Sequence, residues 1–438
     1  MEVILTIFKL GFKYLHRYRR RYGFLLAVLI FGFTLVTFIT STKDGMYNNA
    51  YYSAQSNYAG DIVAVGYNYD YGFDYSHHLG QIEISSILDA IELSGIEPQY
   101  TVLRTFFGSD SFIHFNGLAI QLKNMSGCDW ENEKHIFNKM TFTEPLDPNI
   151  GDDGIIISHP VASQLGAKMG DRVIVEVETR FGQKNTGVFT IKGIVNDSSI
   201  FAYYKAYISR LSLNRLAVYG DDDCSSIGLF FDNPINAEKK RARLQVFLSQ
   251  MLPTGPLVYD REGMDRERNV SRDGTMVFLY TMPVYLSEVS SLLDAMNIVT
   301  YFIYGMMLII ILVSATVTYR LILHERAREM GVMQVIGFYL GELRLVLWTE
   351  IIILGLISII AGFLFARLLS LAASFLSFSW FPGFEIFLKN EKLIAMYRPG
   401  TTLTNVVLVF IVLTIMTLLP SFRTSRKKLP VLLSGDFS

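Results

Sequence analysis

Uncharged runs occupy 22–42, 295–319 and 399–422, bounded by Arg21 and Lys43, by Asp294 and Arg320, and by Arg398 and Arg423. A helix rises about 1.5 Å per residue, so about 20 apolar residues cross the hydrocarbon core of a bilayer. Each run is long enough. A fourth stretch, 345–366, is apolar except for Glu350. Soluble cores also bury helices, but charge-free lengths of 21, 25 and 24 residues are foreign to them. The pattern predicts four membrane spans. A basic segment precedes the first run, as in a signal peptide; its length and the poor cleavage context "TFITSTKDG" favour a retained anchor.

Between the first two spans the rhythm changes. "DIVAVGY" (61–67), "FIHFNGLAIQL" (112–122), "RVIVEVE" (172–178), "GVFTIKGIV" (187–195) and "SIGLFFD" (226–232) have strand composition. "ISSILDAIELSG" (84–95), "HPVASQLG" (159–166) and "NAEKKRARLQVFLSQML" (236–252) have helical spacing. "GAKMGDRV" (166–173) reads as a tight glycine turn into a strand. Eight tyrosines lie between Tyr47 and Tyr75. Their rings suit an amphipathic cargo or lipid headgroups, or pack as ordinary residues of a polar loop. Residues 1–21 place Ile4, Phe8, Phe12 and Leu15 beside a stripe of Lys9, Lys13, Arg17 and Arg20, the pattern of a helix lying on a membrane surface. The expected architecture is an α-helical membrane protein with four transmembrane helices plus a large extracytoplasmic α+β domain.

Composition supports insertion: 51% of the 438 residues are hydrophobic and 18% are charged. Lysine and arginine cluster before the first span, between the second and third (Arg320, Arg326, Arg328, Arg344) and after the fourth (Arg423, Arg426, Lys427, Lys428). Cytoplasmic loops are enriched in cations, so both termini and the 320–344 segment are expected inside and 43–294 outside. The expected layout is a cytoplasmic amphipathic helix (1–21), spans at 22–42, 295–319, 345–369 and 401–422, a cytoplasmic segment at 320–344, an outer loop at 370–400 and a cytoplasmic tail at 423–438. A net charge of −1 leaves no nucleic-acid partner, because the membrane accounts for the basic clusters. Cys128 and Cys224 fall in the outer segment, either as a disulfide or as two free thiols.

The usual catalytic constellations are missing. The chain contains no Gly-Lys dipeptide, so it has no phosphate-binding loop of that kind. His324-Glu325 opens like a zinc motif, but Arg328 stands where the second histidine belongs, and the adjacent pair His77-His78 has no further ligand at metal spacing. No GxSxG is present. These absences point to a non-enzyme with no metal or cofactor of its own. Glu350 is the one acid inside a span, a functional candidate whose plainer reading is snorkelling or pairing with Arg344. Gly355, Ser358, Gly362 and Ala366 form a stripe of small residues that admits a neighbouring helix, from this chain or from a second subunit.

"ERAREMGVMQVIGF" followed by "ELRLVLWTEIIILGLISIIAGFLFA" resembles the FtsX-type permeases of ABC transporters, with the match at Glu325, Arg326, Arg328, Glu329, Gly331, Gly337, Glu350, Gly355 and Gly362. "DDGIIISHPVASQLGAKMGDRVIVEVE" and "FTIKGIVNDSS" look like the outer domain of the lipoprotein-releasing and macrolide-exporter branch. The tail matches the family's closing pattern at Pro420, Arg423, Arg426, Pro430 and Leu433, with one extra residue before Pro430.

The resemblance implies a permease of the bacterial inner membrane that binds no ATP itself and pairs with an ABC ATPase and a second permease, identical or related. It implies membrane lipid, lipoproteins and a periplasmic carrier or adaptor as further partners. It also implies that 320–344 is a coupling segment docking on the ATPase. Helical geometry agrees, since Met330, Val332, Met333, Ile336 and Leu340 fall within an arc of roughly 160°. Lipoprotein release is the leading expectation. Efflux of peptides or drugs, and signalling to wall hydrolases, are the alternatives.

Overall fold

In a computed structural model, the backbone is described for residues 19–72, 74–108, 111–196, 204–232, 236–287, 290–337, 339–377, 388 and 392–425. The amphipathic helix expected before residue 19, much of the 370–400 loop and the tail from 426 lie outside the described residues. Two compact units result. The first comprises Met1–Met46, Leu293–Ser377 and Lys392–Ser438, the second Tyr47–Leu292 and Phe378–Glu391.

Helix α1 (Arg19–Tyr58) is 40 residues long, so the span expected at 22–42 is only its first part. Lys43 and Asp44 end the hydrophobic run without ending the helix, because a charged side chain costs a helix interior at most about 0.7 kcal/mol. Asp44 receives the Thr401 hydroxyl at 2.6 Å and lies 3.7 Å from the Lys43 ammonium. Tyr47, Tyr51, Tyr52 and Tyr58 are therefore helical, and Tyr67 and Tyr69 are buried on a strand. The tyrosine-rich stretch is not a loop.

The second unit is built on twelve strands: β1 (Ile62–Gly72), β2 (Asp74–His77), β3 (Tyr100–Phe107), β4 (Ser111–Phe115), β5 (Leu118–Gln121), β6 (Asn124–Cys128), β7 (Gly154–Ser158), β8 (Arg172–Glu178), β9 (Lys184–Val195), β10 (Lys205–Ser209), β11 (Ser226–Phe230) and β12 (Arg272–Thr281). They pair in the order β12-β1-β11-β3-β6-β10-β7-β9-β8-β4-β5, with β2 against β1. The pairs β6 with β10 and β7 with β9 are parallel and the others antiparallel. β8 alternates as a half-buried strand should, with Val173, Val175 and Val177 inside and Arg172, Ile174 and Glu178 outside.

The segment 112–122 is a hairpin, not one strand. Asn116 and Gly117 adopt φ of 49° and 81°, the left-handed pair of a tight hairpin turn, so Phe112 faces Gln121 and Phe115 faces Leu118.

Helices cover the sheet in two places. α2 (Gln81–Leu93) and, later, α6 (Ala237–Leu248) bury Ile87 and Leu244 with Ile62 of β1 and Leu279 of β12. Between them in sequence come α3 (Lys134–Phe137), α4 (His159–Leu165) and α5 (Arg210–Ala217). Val161 of α4 and Leu213 of α5 pack with Ile155, Ile191 and Ile208. Two short helices, α7 (Arg261–Arg268) and α8 (Met282–Leu286), complete the unit.

Within this unit the C-terminal end of α1 is held by buried cations. Arg104 Nη1 donates to the carbonyls of Ser56 and Asn57 at 2.9 and 3.0 Å, and Lys205 Nζ to the Asn57 carbonyl and side-chain oxygen at 3.1 and 2.8 Å. Positive charge is favoured at this end, where carbonyls lack helical partners. Glu133, fully buried, neutralises Arg104 through Nε at 2.9 Å and Nη2 at 2.5 Å. Asp61 accepts from Tyr51, Gln55 and the Phe231 amide at 2.7–2.8 Å, closing the helix onto the start of β1.

The first unit packs α1 against three long helices: α9 (Ser290–Val335), α10 (Leu340–Ser374) and α11 (Pro399–Ser425). Leu29 and Phe33 of α1, Ala315 and Tyr319 of α9, Ile351 and Leu354 of α10, and Leu413 of α11 share one core. Three described helices are long and apolar enough to cross a membrane: Tyr22–Tyr58, Asp294–His324 and Arg344–Ser374. The described apolar part of the fourth, Pro399–Ile415, is shorter. Gly355 and Gly362 answer the question of what the small-residue stripe meets. A Cβ on Gly355 would lie 2.7 Å from Leu413 Cδ1, and one on Gly362 would lie 3.0 Å from the Ile30 carbonyl oxygen and from Phe33 Cδ1. Both partners are helices of this chain. Ser358 and Ala366, on the same stripe, are fully buried.

Candidate functional site

The segment 320–344 is not a separate helix. α9 continues through it to Val335, the chain reverses at Ile336 and Gly337, and α10 begins at Leu340. Gly337 has φ of 107°, a conformation costly for any residue with a Cβ, and this is what allows the reversal.

At the base of this helix pair lies a polar knot. Arg326 of α9 donates through Nη1 to Glu350 Oε2 of α10 at 2.7 Å and to the Tyr22 hydroxyl of α1 at 2.9 Å. Tyr22 donates in turn to the same Glu350 oxygen at 2.5 Å. The side chains of Arg326 and Glu350 are 3% and 0% exposed. Glu350 Oε1 has no hydrogen-bond partner among the described residues. Charge at such depth is costly unless paired, so the three groups depend on one another and tie three helices at one level. Glu350 therefore pairs with Arg326, the guanidinium that the preceding helix aims at it. Arg326, one of the cations of the expected coupling segment, points inward.

The other expected residues divide by exposure. Glu329 lies 3.8 Å from Arg326 Nε and is partly exposed. The side chains of Glu325, Arg328 and Leu340 lie outside the described ones. Gly331 and Met330 are buried, and Met333 packs on the helix core. Val332, Val335, Ile336 and Tyr339 are exposed, Ile336 at 73% and Tyr339 at 78%. The apolar arc thus splits, with one edge serving the core and the other leaving a small apolar tip at the turn. Sequence reasoning missed Tyr22, whose position at the border of the first run was the available signal. It also missed Asn405, which donates to Thr40 Oγ1 at 2.8 Å and accepts from the Tyr304 hydroxyl at 3.4 Å, although an asparagine within an uncharged run is a visible cue.

No catalytic or metal-binding arrangement emerges among the described residues. No group of three or more His, Cys, Asp or Glu is placed to hold a metal ion. His78 pairs with Asp223 at 2.8 Å, and His77 packs on Tyr67 with ring centroids 5.0 Å apart. Cys128 and Cys224 are both free and buried.

Comparison with known proteins gives a match over residues 301–429 to the family model described as FtsX-like permease C-terminal. That stretch includes most of α9, the turn, α10 and α11, and hence Arg326 and Glu350. No curated protein matches the chain. Among solved structures, the periplasmic region of MacB from Actinobacillus actinomycetemcomitans aligns at 13% identity and a TM-score of 0.31, covering 54% of this chain and 95% of that one. A domain of a putative permease protein from Porphyromonas gingivalis aligns at 11% identity and a TM-score of 0.26, covering 50% and 86%.

Proposed function

We propose, from the premise that residues 301–429 form an FtsX-like permease C-terminal region, that this chain is the membrane subunit of an ABC transporter and is driven by a separate ATPase. The family match carries the reading. Its matched stretch contains an exposed apolar tip at Val332, Val335, Ile336 and Tyr339 that a partner can grip, and also Arg326 and Glu350, which with Tyr22 of α1 form the knot that would pass a push at the tip to three helices at once. In this reading the chain crosses the bacterial inner membrane four times with both termini in the cytoplasm, and a second permease completes the assembly.

The cargo in this proposal is amphipathic, with lipoprotein release as the specific case. Tyr47 and Tyr52, exposed on the last turns of α1, supply rings suited to such a molecule. The test is purification from native membranes in detergent, identifying the ATPase, the second permease and any cargo that come with the chain. Photo-crosslinkers at Tyr47 and Tyr52 should capture lipoproteins. Capture only of soluble wall hydrolases would replace transport by signalling, and failure to recover any ATPase would overturn the reading altogether.

A further inference from the structure

Within the second unit, the end of β6, helix α3, the 146–152 loop and the start of α5 enclose a half-open cavity of about 760 Å³. Its floor is apolar, made by Cys128, Phe137 and Ile150 with Leu146 beside them. One wall is Trp130. The indole N–H donates to the Gly151 carbonyl at 3.0 Å, and the ring centroid lies 5.3 Å from that of Phe137, so the ring is held in place by both sides of the cavity.

The rim is charged, with Asp129, Glu131, Asp147 and Asp152 against Lys134 and Arg210. The cations are engaged: Lys134 binds Glu131 at 2.6 Å, and Arg210 Nη1 binds the carbonyls of Asp221 and Asp223 at 3.2 and 2.8 Å. With Glu131 held by Lys134, two further acids are engaged as well. Asp129 accepts from the amides of Glu131 and Asn132, and Asp147 from Lys192 and the Asn149 amide. Asp152 is different. Its Oδ1 receives the Ser209 hydroxyl at 2.8 Å, while Oδ2 receives no donor among the described residues.

A fixed indole face, a carboxylate with an oxygen to spare and an apolar floor together recognise an ammonium group bearing an apolar arm. The ring quadrupole and the carboxylate both attract the cation, and the floor takes the arm. The volume lies within the range of about 300–1,000 Å³ typical of small-molecule sites. We propose that this cavity binds an organic ammonium ion with an apolar substituent, as a lysine of an amphipathic peptide would present. Cys128 contributes only to the apolar floor, burial pushing its thiol well above its ordinary pKa. The site belongs to the second unit alone and stands whether or not an ATPase drives the chain.

The experiment titrates the full chain, in uncharged detergent, into dansyl-phenylalanyl-lysine amide and follows fluorescence anisotropy, with the Nε-acetylated peptide as the neutral counterpart. Saturable binding is expected for the lysine peptide, weakened about tenfold by acetylation, by Asp152→Asn and by Trp130→Leu. Glu131→Gln, on the exposed rim, should weaken it less, and serves as the readout if Trp130→Leu alters the elution profile of the protein. Equal binding of the two peptides, or anisotropy that Asp152→Asn and Glu131→Gln both leave unchanged, would overturn the proposal.

Discussion

Arg326 and Glu350 stand 24 positions apart in sequence and 2.7 Å apart in space, on successive helices, with the Tyr22 hydroxyl of a third helix bound to both. Removing one member strands the others. Glu350→Gln leaves the buried Arg326 without its closest anion and should cost about 3–5 kcal/mol. Tyr22→Phe removes hydrogen bonds to charged groups and should cost about 1.5–3 kcal/mol. The double variant Arg326→Met with Glu350→Leu should be more stable than either charge-removing single, because no charge remains buried. Thermal unfolding in detergent checks all three, and additive losses in the double would show that the pair is not coupled.

At the turn, exposure separates two substitutions that sequence treats alike. Ile336→Asp replaces a side chain that is 73% exposed and should leave stability and membrane insertion unchanged while, in the proposed assembly, abolishing stimulation of the ATPase. Met333→Asp places a charge against the helix core and should lower the unfolding temperature as well. ATPase rates and unfolding temperatures, measured on the same preparations, distinguish the two. Normal stimulation in Ile336→Asp would remove the docking role.

The close helix contacts predict a size threshold. Gly362→Leu has no room beside the Ile30 carbonyl and Phe33, so the yield of folded protein should collapse. Gly362→Ala asks for a shift of a few tenths of an ångström and should be tolerated at a cost of about 1–3 kcal/mol. Monodisperse elution in detergent is the readout.

Acid should loosen the second unit through His77. Desolvation, and then the nearby Arg268, lower its pKa to about 4, against 6.5 for the free side chain. The folded protein therefore binds fewer protons than the unfolded chain between those values. The contribution of His77 is whole above pH 6.5 and is lost as pH falls toward 4, at no more than about 1.4 kcal/mol per unit. His77→Gln should flatten that part of the pH profile of the unfolding temperature, and an unchanged profile would assign the acid sensitivity elsewhere.

Both cysteines should resist alkylation in the folded state. Burial pushes the Cys224 thiol up to about 12 and raises Cys128 as well, leaving almost no thiolate near pH 8. Without reductant, iodoacetamide should add nothing to the native protein and two groups to the denatured one by mass spectrometry. A single disulfide, adding none in either state, would contradict the free thiols.

The sequence revealed what repeats. The uncharged runs at 22–42 and 295–319 lie in helices, β8 shows its alternation, and His159–Leu165 ends at Gly166, whose φ is 65°, as the glycine turn suggested. Strands such as "GIIIS" and "KAYIS" are buried at every position, so they carry no alternation to read. Buried charge was the larger blind spot. Arg104, Lys205 and Arg326 look in sequence like surface residues, and their burial rests on partners far along the chain: Glu133, Asn57 and Glu350, 29, 148 and 24 positions distant. Asn116-Gly117 is a different case, a turn signal present in the letters but masked by apolar neighbours on both sides.

The glycines of α10 are already spent. Leu413 and Phe33 occupy the hollows at Gly355 and Gly362, where another backbone could have nestled. The surface left bare on α9 is bulky instead: Phe302, Met306, Ile309, Val313 and Val317 are all exposed. Lipid tails are as apolar as these side chains, so in a bilayer a neighbouring protein would have to outcompete acyl chains on nearly equal terms along that surface. An association formed there would be greasy and exchangeable, able to part and re-form without unpicking an interlocked seam.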